Sequence, residues 1–294
     1  DFNLRMAARL KKLGVPVVYY ISPQVWAWRS GRVKQMAEVL DLLLLILPFE
    51  LEWYRQNAPK KMRVEYVGHP VTEQIPHLPY APEDHQIALM PGSRESEWRN
   101  LFGPMIGAAA MLSRADSRLQ FHLPVAEPLR GSSLVKDFLS AAGPFGDSIQ
   151  SLGNAFHIHE IPAHEVLRKA RAAWIASGTA TLEAAVVGTP MVVVYKVNQF
   201  TAFLFRNLVR YKGPIAIVNI IHGGLNTEER VVPEILQHDV EPHTLASSLR
   251  EVMSEPEWSR QKEKLARTRE ILTGEGLPVA NAAKAIERFL RESK

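Results

Sequence analysis

The sequence contains no cysteine, which excludes disulfides and thiolate zinc sites and suits a reducing cytoplasm. Its longest apolar run, Leu42–Leu47, is six residues, far short of the ~20 that cross a bilayer. That run reads as a buried parallel strand. No secretory signal opens the chain. The formal charge is only +4, and the basic residues lack the clustering with interleaved aromatics that nucleic-acid binding calls for. The ten histidines are scattered; His157 and His159 alternate as in a strand and form no metal pattern. No metal or other cofactor is expected. No G-x-G-x-x-G follows an opening strand, which leaves a dinucleotide oxidoreductase without support. Repeats and low-complexity tracts are absent.

What remains is an ordinary globular composition, 46% hydrophobic over 294 residues, enough for two α/β lobes with separate cores. Apolar strands alternate with helical patterns, which predicts parallel sheets. Helix Leu4–Leu13 precedes strand Val15–Ile21; helix Arg32–Leu40, strand Leu42–Leu47, helix Phe49–Asn57 and strand Val64–Val67 follow. Residues 75–86, rich in proline and without periodicity, read as a linker. The expected division is a first lobe at 1–74, the linker, a second lobe at 87–272, and a C-terminal helix in 273–294 packing back on the first lobe. In the second lobe the pattern predicts strands Ile87–Met90, Leu119–Pro124, Phe156–Ile158, Ala173–Ala176 and Met191–Tyr195. Its helices are expected from about Leu101 to Ser113 and over Val135–Ala142, His164–Ala170, Asn198–Arg210, Pro242–Met253 and Glu257–Leu272. The chain opens Asp1-Phe2-Asn3 without Met and enters a helical pattern at once, as a chain starting inside a domain would.

Ala176–Val194 is the most informative stretch: a small-residue turn, a short helix, a Gly-Thr-Pro break and a buried strand. Ser177, Gly178 and Thr179 would open the helix with free backbone N–H groups, a seat for phosphate. Glu183 lies one helical turn beyond Thr179 and can reach a sugar hydroxyl. A packed helix–strand junction with a glycine cap explains the same pattern. The second signal is Leu89–Arg94, where a buried strand opens into a loop. Ligands of open α/β sheets collect at such strand ends, and Arg94 can clamp phosphate oxygens there. Ser93 lies beside it, and Glu97 is close enough to orient the guanidinium. A surface Arg–Glu pair is the plainer reading; the two segments together favour phosphate.

Two aromatic features remain open. Phe200, Phe203, Leu204 and Leu208 share one side of a helix flanked by Arg206, Arg210 and Lys212, which suits an anionic membrane surface or an ordinary core-facing helix. Trp26 and Trp28, near Arg29 and Arg32, suit an amphiphile or membrane interface, or simple burial.

The strings SPQVWAWRSGRVK at Ser22–Lys34, LPFE at Leu47–Glu50, VGHP at Val67–Pro70, LMPGSR and ASGTATLE together resemble the lipid-A-disaccharide synthase family. The resemblance runs along essentially the whole chain, and its SP-x-VWAWR string is highly specific. It implies an inverting glycosyltransferase of GT-B architecture: α/β, two Rossmann-like lobes with parallel sheets, the first lobe incomplete. The implied reaction joins UDP-2,3-diacylglucosamine to 2,3-diacylglucosamine 1-phosphate (lipid X), giving a β-1,6-linked disaccharide phosphate and UDP. The implied setting is the cytoplasmic face of the inner membrane of a Gram-negative cell, with peripheral contact; a homodimer is left open. Arg94, Ser177, Gly178 and Thr179 would then take the diphosphate and Glu183 the ribose. Ser93, Glu97 and Asn219 would line the nucleotide cleft, with Ile161 in a loop placed to touch uracil through its backbone. Trp26, Trp28, Arg29, Phe200, Phe203, Arg206 and Arg210 are candidates for lipid, acceptor or membrane contact. The family's first lobe carries about a hundred further residues, with a Gly/Ser-rich motif and an acidic catalytic base falling before Asp1. The chain alone is therefore expected to be inactive. Two rivals stand beside this reading: another UDP-sugar GT-B enzyme, such as a UDP-GlcNAc 2-epimerase, and a non-catalytic membrane-surface binding protein.

Overall fold

A computed structural model describes residues 2–27, 31–197 and 213–292. In chain order the elements are α1 (Phe2–Lys12), β1 (Val18–Tyr20), α2 (Arg32–Val39), β2 (Leu42–Leu45), α3 (Pro48–Asn57), β3 (Val64–Tyr66) and α4 (Val71–Gln74). Next come β4 (Glu83–Met90), α5 (Glu95–Ala115), β5 (Gln120–Pro124), α6 (Ser133–Leu139), α7 (Gly146–Leu152), β6 (Phe156–His159) and α8 (Ala163–Lys169). The remainder is β7 (Ala170–Ala176), α9 (Thr179–Val187), β8 (Met191–Tyr195), α10 (Ile217–Gly223), β9 (Glu234–Leu236), α11 (Pro242–Met253), α12 (Glu257–Ala266), α13 (Thr268–Thr273) and α14 (Pro278–Glu292). The chain divides into two compact units, Asp1–Pro76 with Arg269–Lys294, and His77–Thr268.

The larger unit is built on a six-stranded sheet of order β6-β5-β4-β7-β8-β9, parallel throughout. Its central strands are apolar on both faces because helices cover both. Ile87 and Leu89 of β4 join a core with Trp98, Phe102, Leu245 and Leu249 from α5 and α11. The alternate residues Ala88 and Met90 join Leu167, Ala184, Val218 and Leu265 on the opposite side. The chain runs outward from β4 through β5 to β6, then returns to place β7 against the other side of β4. The switch point of this doubly wound sheet lies between β4 and β7.

The smaller unit has a three-stranded parallel sheet of order β1-β2-β3. Leu42–Leu45 are fully buried, as expected of a central strand. Leu4, Ala7, Val33 and Met36 from α1 and α2 pack with Leu43, Leu45 and Tyr54. Helix α14 belongs to this unit, where Arg288 pairs with Glu65 and Arg63 with Glu292.

The structure redraws several expected boundaries. β4 begins at Glu83 rather than Ile87, so part of the proline-rich linker is sheet; polar edge residues hid it. α5 begins at Glu95 rather than near Leu101, because the Glu97 side chain caps its first turn. The expected helix Glu257–Leu272 is two helices, divided where one compact unit gives way to the other. Helices α4, α7 and α10 and strand β9 were not anticipated. The helix expected at Asn198–Arg210 lies outside the described residues, as do Trp28 and Arg29.

Candidate functional site

The two candidate phosphate segments leave neighbouring strands at the same end of the larger sheet. Met90 pairs with Ile175 across β4 and β7, so Pro91–Arg94 and Ser177–Thr179 emerge side by side at the switch point. A ligand crevice is expected there on topology alone.

The first loop is set by Glu97. One carboxylate oxygen accepts the N–H groups of Ser93 (2.8 Å) and Arg94 (3.2 Å), and the other pairs with Arg94 Nη1 at 2.7 Å. Glu97 thus already supplies negative charge to the N-terminus of α5, where the helix dipole favours it. Gly92 is required beneath it: its φ is +117°, and a Cβ there would lie 2.2 Å from a Glu97 carboxylate oxygen. The Gly92 carbonyl accepts the Trp98 indole N–H at 3.0 Å, which ties the loop to the core. Arg94 itself is 75% exposed. An exposed ion pair of this kind contributes little to stability, so its guanidinium can be redirected to a ligand.

The second loop differs from expectation in one atom. Ser177 donates its backbone N–H to Val194 of the adjoining strand at 2.9 Å, so that amide closes the sheet and is not a free phosphate donor. Only its hydroxyl is left for that role. Gly178 and Thr179 are exposed, and the Thr179 amide has no hydrogen-bond partner among the described residues. Gly178 adopts φ +156° and ψ −156°, a conformation open essentially to glycine. Thr181 folds its hydroxyl back to the Gly178 carbonyl at 2.7 Å, fixing the first turn of α9.

Glu183 stands on α9, half-buried, with no hydrogen bond or ion pair among the described residues. Burial raises its pKa, against a smaller lowering by His164. A carboxylate in such a place gains from a hydroxyl donor.

Asn219, on α10, is fully buried. Its oxygen accepts the amides of Val231 (2.8 Å) and Val232 (3.0 Å), and its nitrogen donates to the Val232 carbonyl (2.9 Å) and Glu234 (2.7 Å). Every hydrogen-bonding group of this side chain is engaged within the fold, leaving none for a nucleotide. Glu234, which the sequence reading passed over, completes the strut by accepting the Ile215 and Ala216 amides at 3.0 Å each.

Ile161 is 41% exposed just beyond β6, the edge strand of the sheet. Beside it a histidine cluster joins residues that the sequence kept apart. His122 Nδ1 lies 2.9 Å from His159 Nε2, and His122 stacks on His157 with centroids 4.8 Å apart. Burial pushes the His122 pKa down to about 4, with the neighbouring histidines and Lys169 adding to the effect. Strand register aligns His122 with His157; a sequence without pairing information cannot.

In the smaller unit Trp26 is only 9% exposed. It donates its indole N–H to Glu50 at 3.1 Å and meets Phe49 edge-on at 5.0 Å. Burial, and not an exposed membrane-facing ring, is its state here. Among the described residues no group of three or more His, Cys, Asp or Glu is arranged to hold a metal. No described helix is long and apolar enough to cross a membrane.

Comparison with solved structures gives the class. The chain is similar to Os79 from O. sativa, solved with U2F and trichothecene (TM-score 0.63, 12% identity, 95% of this chain and 74% of that one). It is also similar to a Listeria monocytogenes protein assigned as a UDP-N-acetylglucosamine 2-epimerase (TM-score 0.59, 12% identity, 99% and 72%). At these identities the likeness defines the fold alone, and that fold is the GT-B glycosyltransferase architecture. Sequence then gives the family. Residues 1–289 match the model for lipid-A-disaccharide synthetase. The chain is 38% identical over 291 residues to the lipid-A-disaccharide synthase of Anaeromyxobacter dehalogenans (strain 2CP-C), covering 95% of this chain and 70% of that relative. The chain belongs to this family of glycosyltransferases of lipid A synthesis.

Proposed function

We propose that the unit His77–Thr268 binds the UDP-sugar donor at its switch point and that the unit containing Asp1–Pro76 serves the lipid-sugar acceptor. The donor would be UDP-2,3-diacylglucosamine and the acceptor 2,3-diacylglucosamine 1-phosphate. In the transfer, the acceptor 6-hydroxyl oxygen bonds to the sugar C1 as the C1–O bond to UDP breaks. The hydroxyl proton passes to a general base, and the electron pair of the broken bond leaves on the diphosphate. Stabilising that departing charge is the main electrostatic task.

The supporting observation is the pairing of two anion-suited loops on the strands that flank the switch point. Arg94 would turn from Glu97 to the diphosphate, and the Gly178–Thr179 backbone with the Ser177 hydroxyl would face it from α9. Glu97 would keep the Ser93 and Arg94 amides in place meanwhile. Glu183, half-buried and unpaired among the described residues, would accept a ribose hydroxyl. Ile161 and its loop would reach the base through the backbone. Peripheral association with the cytoplasmic face of the inner membrane, through amphiphilic substrates, belongs to the same reading.

The test is full-length protein mixed with both substrates and assayed by mass spectrometry, with Arg94→Ala beside it. Disaccharide phosphate formed by the parent and lost in the variant is the expected result. A folded, UDP-binding parent that makes none would retain the fold and discard this substrate pair. Conversion of UDP-GlcNAc without a lipid acceptor would favour an epimerase.

A further inference from the structure

Three strings of the sequence have no part in the donor site: Ser22–Lys34, Leu47–Glu50 and Val67–Pro70. They follow β1, β2 and β3, which are adjacent and parallel, so all begin at one edge of the smaller sheet. Helix α3 grips the first of them at two points one turn apart. Tyr54 Oη lies 2.8 Å from Ser22 Oγ, and Glu50 accepts the Trp26 indole N–H. Residues four apart share a helix face, so α3 holds both ends of the segment Ser22–Trp26 on one surface.

Glu50 is 1% exposed. Its other oxygen accepts the Leu47 amide at 3.2 Å, where β2 turns into α3. Both oxygens therefore face N–H donors, and the ionised carboxylate can accept at both. An amide in its place would turn an NH₂ toward another N–H. Burying a carboxylate is costly, and a neutral cap would close α3 with less penalty. The carboxylate does what such a cap would not: it fixes the Trp26 ring, which is also braced by Phe49.

We propose that Glu50 is a positioning residue for the acceptor, acting through Trp26 to set the path of the Ser22–Ala27 segment at the ligand edge of the smaller sheet. This rests on the assignment of the acceptor to that unit. The role is one of placement: Glu50 is too buried to touch substrate.

The experiment uses full-length protein, with donor and acceptor varied separately for wild type, Glu50→Gln, Trp26→Phe and the double variant. Each single change is expected to raise the acceptor KM about tenfold, with the donor KM unchanged. The double variant is expected to be no worse than the more damaged single one, because both remove the same contact. An unchanged acceptor KM, an equal rise in both KM values, or additive effects would overturn the proposal. If Glu50→Gln does not fold, Trp26→Phe carries the test, since it deletes the indole N–H and retains an aromatic ring. A wild-type protein that makes no disaccharide would sink the underlying assignment and this proposal together. Normal wild-type turnover with an unshifted acceptor KM in the variants would sink this proposal alone.

Discussion

The two sheets present their carboxyl-terminal edges in opposite ways. At the switch point of the larger sheet Ser93, Arg94, Gly178 and Thr179 are exposed; Glu97 holds the Ser93 and Arg94 amides and pairs with the exposed Arg94 guanidinium. At the corresponding edge of the smaller sheet Ser22, Trp26, Glu50, Tyr54 and His69 are all buried and largely engaged with one another. One topology thus supports two designs. The open edge leaves the Arg94 guanidinium and the Gly178–Thr179 backbone exposed to an anion, and the packed edge uses its polar groups to hold loops in place. Damage to the first should therefore appear in binding, and damage to the second in stability and in the geometry it supports.

Glu50 offers the largest effect. Burial pushes its pKa up from 4.5 to about 7, opposed by the Leu47 and Ile46 amides and the Trp26 indole. A raised folded-state pKa means that the group's contribution is fully present below the unfolded value and is lost as pH rises through the folded one. Stability should fall by on the order of 3 kcal/mol between those two pH values. Urea unfolding at a series of pH values measures this, and Glu50→Gln should flatten that part of the profile. A wild-type profile already flat there would show the packed edge to be less closed than described.

Arg94→Ala should reduce donor kcat/KM roughly 100-fold, the scale of losing one preorganised donor to developing charge. Its melting temperature should stay near wild type, because the residue is exposed and its ion pair local. A large melting shift would instead make Arg94 part of the packing, and the contrast between the edges would fail.

Gly92→Ala limits the same contrast, because within the open edge this one residue is packed beneath Glu97. The new methyl meets Glu97 at a positive φ, so about 1–3 kcal/mol of stability should be lost, together with nucleotide affinity. Thermal unfolding and UDP titration on the same sample separate the two losses. Glu183→Gln should be milder, about tenfold weaker in UDP binding. Its pKa is raised by burial, so neutralising it should leave stability equal or higher at neutral pH, where the charged form bears the penalty. A variant that binds UDP normally would remove Glu183 from the ribose site.

Much of this architecture was legible from periodicity. Met191–Tyr195 and Pro242–Met253 fall where the apolar pattern places them, because a buried strand and an amphipathic helix have little freedom of register. The Glu97 cap could also have been read, since a glutamate three residues into a helix is a start signal. Other features depend on partners distant in sequence. The Ser177 amide is occupied by Val194, Asn219 by residues 231–234, and Trp26 by Glu50. An indole reads alike whether it faces lipid or a buried carboxylate, and only the folded chain distinguishes them.

The central claim is that the nucleotide sits where β4 and β7 part. Amide hydrogen exchange of the chain with and without UDP tests it most directly. The account predicts new protection over Gly92–Trp98 and Gly178–Glu183, and none over Ser22–Ala27. Protection confined to the smaller unit, or absent from both switch-point loops while UDP binds, would contradict it.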